Sequence, residues 1–322
     1  MNLSELVLLS NRLEKLTVTD LQQDALIKFD RIMYESDLPQ GGVDVDFRSN
    51  LGDLNQTIQT SFTNFEIELK RYKDEVRRLI YREGVKWFHR ASIRYEGRLS
   101  SREAQQPNTV NSYQNKPIPL DEETTKIFKS RVAYYADWRY PAMIIHPMME
   151  SFIHDMVSND PLYVVDESPH LLEPSLNHWN DVYKNRLRRY YIEESFDQPI
   201  LDKLPNGQFG FCLVYNYLNY RPYEIIKKYL AELYEKLRPG GVLAMTFNDC
   251  DRYNSIQMVE QDITCYTPGL LVLGYAEYIG FEKVFEYRDD SASVWIELKK
   301  PGTLTSLRGG QALAKIKPKP VA

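Results

Sequence analysis

The ten residues VVDESPHLLE, Val164–Glu173, join the end of a short apolar run to the start of a helix. Asp166 stands where a strand would emerge from a sheet, Ser168 is a good helix N-cap, and Pro169 suits the first helical turn. A strand that leads directly into a helix is the repeating unit of parallel sheets. This stretch therefore predicts an α/β fold.

From about Asp121 onward, short apolar runs alternate with helical ones, which predicts a mostly parallel sheet. Only a turn around Arg288–Asp290 separates the last two runs, so the sheet is expected to end in an antiparallel hairpin. The predicted strands are Ala142–His146, Leu162–Val165, Tyr190–Ile192, Phe211–Tyr217, Val242–Phe247, Glu282–Glu286 and Val294–Leu298. The predicted helices are Met149–Val157, His170–Asn185, Tyr223–Leu237 and Gly269–Ile279.

Three more stretches follow the same order: FCLVYNYLNY at Phe211–Tyr220, YEKLRPGGVLAMTF at Tyr234–Phe247, and GFEKVFEYRDDSASVWIELKKPG at Gly280–Gly302. With Val164–Glu173 they resemble the motifs of the class I S-adenosylmethionine-dependent methyltransferases, over about Tyr134–Lys300. The resemblance implies a Rossmann-like, mostly parallel seven-stranded sheet with a terminal antiparallel hairpin. It also implies methyl transfer with S-adenosylmethionine as cofactor, to an acceptor that the sequence does not identify.

The resemblance assigns roles to residues at the ends of the strands. In this family an acid after the second strand binds the cofactor ribose, an acid after the third binds the adenine, and the loop after the fourth faces the acceptor. His146, after the first strand, would act as a general base or fill the pocket, whereas Asn248 and Asp249 would orient a substrate or cap the helix that follows them. The candidate cofactor-binding residues are Asp166, Glu193 or Glu194, and His146; the candidate substrate-loop residues are Tyr215, Asn216, Asn219, Asn248 and Asp249.

The sequence departs from the family at the first motif, where an acid is followed by glycines in the manner of E-x-G-x-G. The corresponding stretch is PAMIIHPMMESF, with Ile144 in place of the acid and His146 and Met148 in place of the glycines. No glycine occurs between Gly97 and Gly207. Since a Cβ would fill the space next to the cofactor, either the cofactor binds in an altered way or this fold no longer binds it. The usual acid of the fourth strand is also replaced, by Cys212.

The N-terminal part has a helical pattern, from Asn2 to about Ser36 and again further on. In the second run Phe62, Phe65, Leu69, Tyr72, Val76 and Leu79 alternate spacings of three and four residues, which is typical of a coiled-coil seam. The first helix folding back, a second copy of the chain, or the domain to which the helix belongs would cover that seam. Gly84 and Gly97 weaken the continuation of this helix. We therefore expect a helical, coiled-coil-like region over 1–100, a linker over 101–120, the α/β domain over 121–302 and a basic tail over 303–322.

A row of basic residues crosses the end of this region, with a member at every fourth position. Such a row, with aromatic residues between its members, can track a nucleic-acid backbone or dock onto an acidic protein surface; the second is favoured because the rest of the chain is acidic. The row consists of Arg78, Arg82, Lys86, Arg90, Arg94, Arg98 and Arg102.

Composition restricts the remaining classes of function. Three cysteines are too few for a disulfide framework, and His146, His154, His170 and His178 are too widely spaced for a zinc site, so no metal is expected. No apolar run approaches the ~20 residues that span a bilayer, which predicts no membrane partner and a cytoplasmic location. With 23 tyrosines and 15 glycines, the composition resembles that of tailed-bacteriophage proteins, which would place the chain in the host cytoplasm or the virion.

Two hypotheses of function follow. The first is a methyltransferase that uses S-adenosylmethionine, with impaired cofactor binding. The second is a non-catalytic structural or assembly protein, such as a phage virion component, that combines a methyltransferase fold with a helical region for self-association or for a partner protein.

Overall fold

Seven strands form one sheet in the C-terminal part of the chain. In the computed structural model they are β1 (Ala142–Ile145), β2 (Leu162–Asp166), β3 (Arg188–Tyr191), β4 (Phe209–Val214), β5 (Leu237–Asn248), β6 (Glu282–Arg288) and β7 (Ser293–Lys299). Their order across the sheet is β3-β2-β1-β4-β5-β7-β6. The first five strands are parallel, whereas β7 runs antiparallel to both β5 and β6. The predicted sheet and its antiparallel end are confirmed.

The structure describes residues 2–16, 45–104, 122–147, 150–167, 169–176, 180–288 and 293–304. The helices are α1 (Leu3–Glu14), α2 (Val45–Ala104), α3 (Glu122–Tyr135), α4 (Glu150–Asp155), α5 (Pro169–Leu176), α6 (Asp181–Lys184), α7 (Tyr223–Lys236), α8 (Tyr253–Glu260) and α9 (Gly269–Tyr278). A short 3-10 turn, Leu218–Tyr220, follows β4. The chain divides into two compact units, Met1–Val85 and Lys86–Ala322, and the boundary falls within α2.

Side chains of the central strands alternate between two apolar layers. Met143 and Ile145 of β1 lie in the same cluster as residues of α7 and α9. Ala142 and Ile144 lie in a second cluster, with residues of α3, α4 and α5. Because successive strand residues point to opposite faces, helices cover both sides of the sheet. Both faces are therefore buried, which is why these strands are continuous apolar runs in the sequence.

α3 has no counterpart among the predicted helices, and it is attached to the sheet by a buried ion pair. Arg131 of α3 donates from Nε to Oε1 of Glu297 in β7, at 2.7 Å. The hydroxyl of Tyr135 donates to Oε2 of the same carboxylate, at 2.7 Å. Phe128 stacks on Trp295, with ring centroids 4.3 Å apart. The helix therefore combines apolar packing with a fully paired charge, which is the condition for burying an arginine and a glutamate.

The N-terminal helices differ from the prediction in their extent. α2 continues through Gly84 and Gly97 to Ala104, although glycine lowers helix stability by about 1 kcal/mol at each interior position. α1 ends at Glu14, and the remainder of the helix predicted up to Ser36 lies outside the described residues. Most of the predicted linker and most of the predicted basic tail also lie outside the described residues. The predicted domain boundaries at residues 100 and 120 therefore stay predictions. No helix in the described ranges is both long and apolar enough to cross a membrane.

Candidate functional site

The candidate site lies where the strand order changes direction, between β1 and β4. In open α/β sheets, ligands bind at this point, outside the carboxyl ends of the strands. Three side chains stand there: His146 directly after β1, Asp166 at the end of β2, and Tyr217 shortly after β4. All three are buried. The crevice in which a ligand would be expected is therefore lined by side chains that have little contact with solvent.

His146 occupies this crevice with a backbone conformation that favours glycine. Its φ is +55°, in the left-handed region that a residue with a Cβ adopts only at a cost of about 1–2 kcal/mol. Its Nδ1 lies 3.1 Å from Oδ2 of Asp166, and its ring centroid lies 5.1 Å from that of Tyr217. The turn after β1 thus has the shape of a glycine turn, but an imidazole fills the space next to it.

The carboxylate of Asp166, predicted to bind ribose, is held within the chain. One oxygen faces His146, and the other accepts the backbone N–H of Glu167 at 2.6 Å. Asp166 is buried, so both contacts are screened from water. The position of this acid at the end of β2 agrees with the prediction, and its partners come from the protein itself.

Of the two predicted adenine-binding acids, Glu194 faces the crevice and Glu193 is exposed. Oε1 of Glu194 accepts hydrogen bonds from Nε of Arg221 at 3.0 Å and from the hydroxyls of Tyr217 at 2.7 Å and Tyr229 at 2.8 Å. Its other oxygen accepts the hydroxyl of Tyr95, from the last part of α2. Four donors therefore surround one buried carboxylate.

Arg221 is the centre of this arrangement, and all three guanidinium nitrogens have partners. Nε bonds Glu194, one terminal nitrogen bonds Glu167, and the other donates to the backbone carbonyl of Tyr217 at 3.1 Å. The guanidinium carbon lies 3.5 Å from the centroid of the Tyr217 ring. Arg98 of α2 adds a second cation, 3.4 Å from Glu167. We call this set the buried network; its members are Tyr95, Arg98, His146, Asp166, Glu167, Glu194, Tyr217, Arg221 and Tyr229.

The residues of the crevice do not fit S-adenosylmethionine. The ribose hydroxyls need an accessible carboxylate, but Asp166 is buried against His146. The adenine amino group needs an accessible acceptor, but Glu194 is buried and already accepts four donors. The glycine turn that would receive the methionine part carries an imidazole. The buried network thus satisfies the two acids with protein donors in place of those that the cofactor would supply.

The predicted substrate-loop residues do not converge on one cleft. Tyr215 points to the other face of the sheet, where its ring lies 4.9 Å from Phe152 and 6.2 Å from Phe128. Asn216 and Asn219 are buried next to each other, and Asn219 donates to the hydroxyl of Ser293 at 2.6 Å. These contacts hold the segment after β4 against the start of β7.

Asn248 and Asp249, at the end of β5, make structural contacts. Asn248 donates to the backbone carbonyl of Ser255 at 3.3 Å. Asp249 accepts the backbone N–H of Gly269 at 3.1 Å, at the start of α9, and pairs with Arg288. Asp249 therefore holds the first N–H of α9 and does not cap the helix that follows β5, which was one of its two predicted roles.

Two further predictions concern Cys212 and the basic row. Cys212 lies inside β4 and is fully buried in the apolar core, so it does not stand in for an acid at the cleft. Arg90 and Arg94 both pair with Asp262 of the same unit, and Arg98 pairs with Glu167. This part of the row faces acidic residues of its own chain. In the described ranges, no three His, Cys, Asp or Glu side chains are grouped as metal ligands would be.

Five members of the network were not among the predicted site residues: Tyr95, Glu167, Tyr217, Arg221 and Tyr229. One pair among them has a local sequence pattern. Tyr217 and Arg221 are four residues apart, on either side of the 3-10 turn after β4. That spacing brings a ring under a guanidinium. The partners of this pair come from distant parts of the chain.

The buried tyrosines predict unfolding at high pH. Burial raises the pKa of Tyr217 and Tyr229 well above the ordinary value of about 10. Because the folded-state pKa is the higher one, these neutral phenols stabilise the fold fully below pH ~10, and that contribution is lost as the pH rises further. We expect tyrosinate absorbance to rise in two phases, the second together with the loss of far-UV circular dichroism. A single phase that is complete before unfolding would contradict the burial of these phenols.

Comparisons with known proteins give similarity at the level of structure alone. No protein-family model and no curated protein sequence matches the chain. An O-methyltransferase family protein from Burkholderia thailandensis aligns with 56% of this chain and 56% of its own, at 11% identity and a TM-score of 0.44. The N-methyltransferase NodS from Bradyrhizobium japonicum aligns with 56% of this chain and 98% of its own, at 11% identity and a TM-score of 0.41. Human N-acetylserotonin methyltransferase, in complex with S-adenosylmethionine, aligns with 54% of this chain and 52% of its own, at 12% identity and a TM-score of 0.40.

At these sequence identities and TM-scores, the matches do not indicate what reaction this chain would catalyse. The fold class stands on the strand order and on the antiparallel position of β7. By these criteria the second unit has a class I methyltransferase-like α/β fold.

Proposed function

We propose that the chain is a non-catalytic assembly protein, in which a methyltransferase-like fold that does not bind S-adenosylmethionine carries a long helix for association with further copies. The observation that carries this proposal is the position of Arg221, buried between Glu167 and Glu194 at the crevice where the cofactor would be expected. A ligand could enter only if this ion pair opened. Opening it would separate buried charges, which costs several kcal/mol.

The helical region supports the second part of the proposal. The C-terminal end of the predicted seam is covered, since Val76 is buried, and Arg77 near it pairs with Glu14 of α1 at 2.7 Å. Further toward the N-terminus, Phe65 and Tyr72 are about half exposed. Their heptad spacing fits the same face of a second α2, because coiled-coil seams are complementary to themselves. The occupant that we propose for this part of α2 is therefore another copy of the chain.

For the origin and location of the assembly, the supporting observation is the amino-acid composition. The tyrosine-rich, glycine-poor sequence favours a tailed-bacteriophage protein, in the host cytoplasm or the virion. Basic side chains that pair within the chain, such as Arg90 and Arg94, support a protein partner over nucleic acid.

The test of the closed crevice is a calorimetric titration of the full chain with S-adenosylmethionine and with its demethylated product. We expect no binding in the low-micromolar range, which corresponds to about −8 kcal/mol. The control is Asp166→Ala, which should leave the result unchanged. Low-micromolar binding by the native chain that falls on this substitution would overturn the proposal and favour a methyltransferase.

A further inference from the structure

Two of the three cysteines lie in neighbouring segments of the chain. Cys250 follows the end of β5 by two residues, and Cys265 lies between α8 and α9. Backbone hydrogen bonds join the two segments, because the N–H of Cys250 donates to the carbonyl oxygen of Thr267 at 3.0 Å. The third cysteine, Cys212, lies inside β4. The fold thus brings together two thiols that are 15 residues apart in sequence.

The sulfur of Cys250 is directed at the backbone of Cys265. It accepts hydrogen bonds from the side-chain amide of Asn248 and from the N–H of Thr267, both at 3.3 Å. These contacts hold Sγ of Cys250 at 3.9 Å from the carbonyl oxygen of Cys265. From standard backbone dimensions, Sγ is then within about 6.5 Å of the Cα of Cys265. Side-chain rotation at Cys265, with a small backbone adjustment, brings the two sulfurs to the bonding distance of about 2.0 Å.

The two thiols differ in their access to solvent. Cys250 is buried, whereas Cys265 is partly exposed, so a reagent from solution meets Cys265 first. Burial raises the pKa of Cys265 to about 11, and three guanidinium groups oppose this effect, those of Arg94, Arg221 and Arg98. Burial also raises the pKa of Cys250. Since the thiolate is the reacting form, the reaction of this pair at neutral pH is slow.

We propose that Cys250 and Cys265 form an intramolecular disulfide when the chain meets a small-molecule disulfide such as oxidised glutathione. The thiolate of Cys265 attacks one sulfur of the reagent, and one glutathione leaves as its thiolate. The thiolate of Cys250 then attacks the Cys265 sulfur of the mixed disulfide, and the second glutathione leaves. The two protein sulfurs are oxidised, the two glutathione sulfurs are reduced, and the two protein protons pass through solvent to the released thiolates.

The disulfide closes a loop that contains α8 and Asp262. The carboxylate of Asp262 pairs with Arg90 and Arg94, near the C-terminal end of α2. Because a cross-link restricts the unfolded chain, it stabilises the folded form of this loop and with it the attachment of that end of α2. A virion component leaves the reducing cytoplasm for surroundings in which disulfides persist. This role of the disulfide rests on the proposed function, whereas its formation does not.

Mass spectrometry of the full chain tests the pairing. The reduced chain is incubated with oxidised glutathione until its mass no longer changes, and is then digested without reductant. We expect the loss of two hydrogen atoms, a disulfide that joins the peptides of Cys250 and Cys265, and one remaining thiol, that of Cys212. The melting temperature should rise by about 5 °C, as expected for a closed loop of roughly 15 residues.

Three single-residue variants make the test specific. Cys265→Ser changes a partly exposed position, and Cys250→Ser keeps an acceptor for the N–H of Thr267. Neither should form the disulfide or gain in melting temperature, and Cys250→Ser should retain one glutathione on Cys265. Cys212→Ala should form the same disulfide as the native chain.

Three outcomes with the native chain would overturn the proposal. They are three free thiols after the incubation, a glutathione that stays on Cys265, and a disulfide that joins two chains. Sedimentation of the reduced chain measures the proposed assembly separately. A monomeric chain that forms the disulfide would contradict the assembly alone, and an assembly without the disulfide would contradict this inference alone.

Discussion

Replacing Arg221 with alanine is expected to lower the free energy of unfolding by about 3–5 kcal/mol, the usual cost of removing one member of a buried ion pair. The substitution leaves Glu167 and Glu194 without their shared cation, and it removes the group that covers the Tyr217 ring. Urea denaturation followed by circular dichroism measures the loss. Arg186→Ala is the matched control, because Arg186 also pairs with a carboxylate, that of Asp160, but is exposed. It should change the free energy by less than about 1 kcal/mol.

A chemical rescue makes this prediction specific to the guanidinium site. Millimolar methylguanidinium should raise the melting temperature of Arg221→Ala and leave the native chain and Arg186→Ala unchanged. Arg221→Lys should recover part of the stability, since lysine restores the charge without the planar fork of donors. A loss below about 1 kcal/mol in Arg221→Ala, with no rescue, would mean that the network does not hold the crevice closed.

Glutamate substitutions on the exposed part of the α2 seam are expected to dissolve the assembly. Phe65→Glu and Tyr72→Glu each place a charge where an apolar side chain would be buried against a second copy. A large contact residue of this kind contributes about 2 kcal/mol, so each change should weaken association roughly 30-fold. Analytical ultracentrifugation of the full chain over a range of concentrations gives the measurement.

The same helix offers a matched control in Ile67. Ile67 lies between Phe65 and Leu69 in sequence and off the heptad seam, and it is at least as exposed as Phe65. Ile67→Glu should keep the native association constant and the native melting temperature. Equal effects of Ile67→Glu and Phe65→Glu, or a native chain that is monomeric, would contradict the role of the seam.

The fold was predictable from sequence because its signals are local. Buried strands such as β1 and β2 are short apolar runs that need no partner to be recognised. α3 and α8 were missed because their polar and apolar residues are mixed. The extent of α2 was underestimated because the cost of Gly84 and Gly97 is spread over a helix of 60 residues.

The candidate site was predictable only in part, because its partners are far apart in the chain. Asp166 could be identified from its place at the end of a strand. Glu194 could not be distinguished from Glu193. The acid that turns inward is set by the residue at which β3 ends and by the side chains that pack against the segment after it. Tyr95 and Glu194 are 99 residues apart, and Arg221 and Glu167 are 54 apart. No local pattern encodes contacts at such separations.

The glycine-like turn occupied by His146 has a consequence for how this sequence can evolve. A change to glycine would relieve the backbone, yet Arg221 would still fill the crevice. A change at Arg221 alone would strand two acids and weaken the protein. Neither single step yields a cleft that a nucleoside can enter, so a mutational path toward cofactor binding passes through a less stable protein when Arg221 is lost. A crevice that is filled by paired side chains, as here, therefore needs more simultaneous substitutions to bind a cofactor again than a site that has lost a single contact.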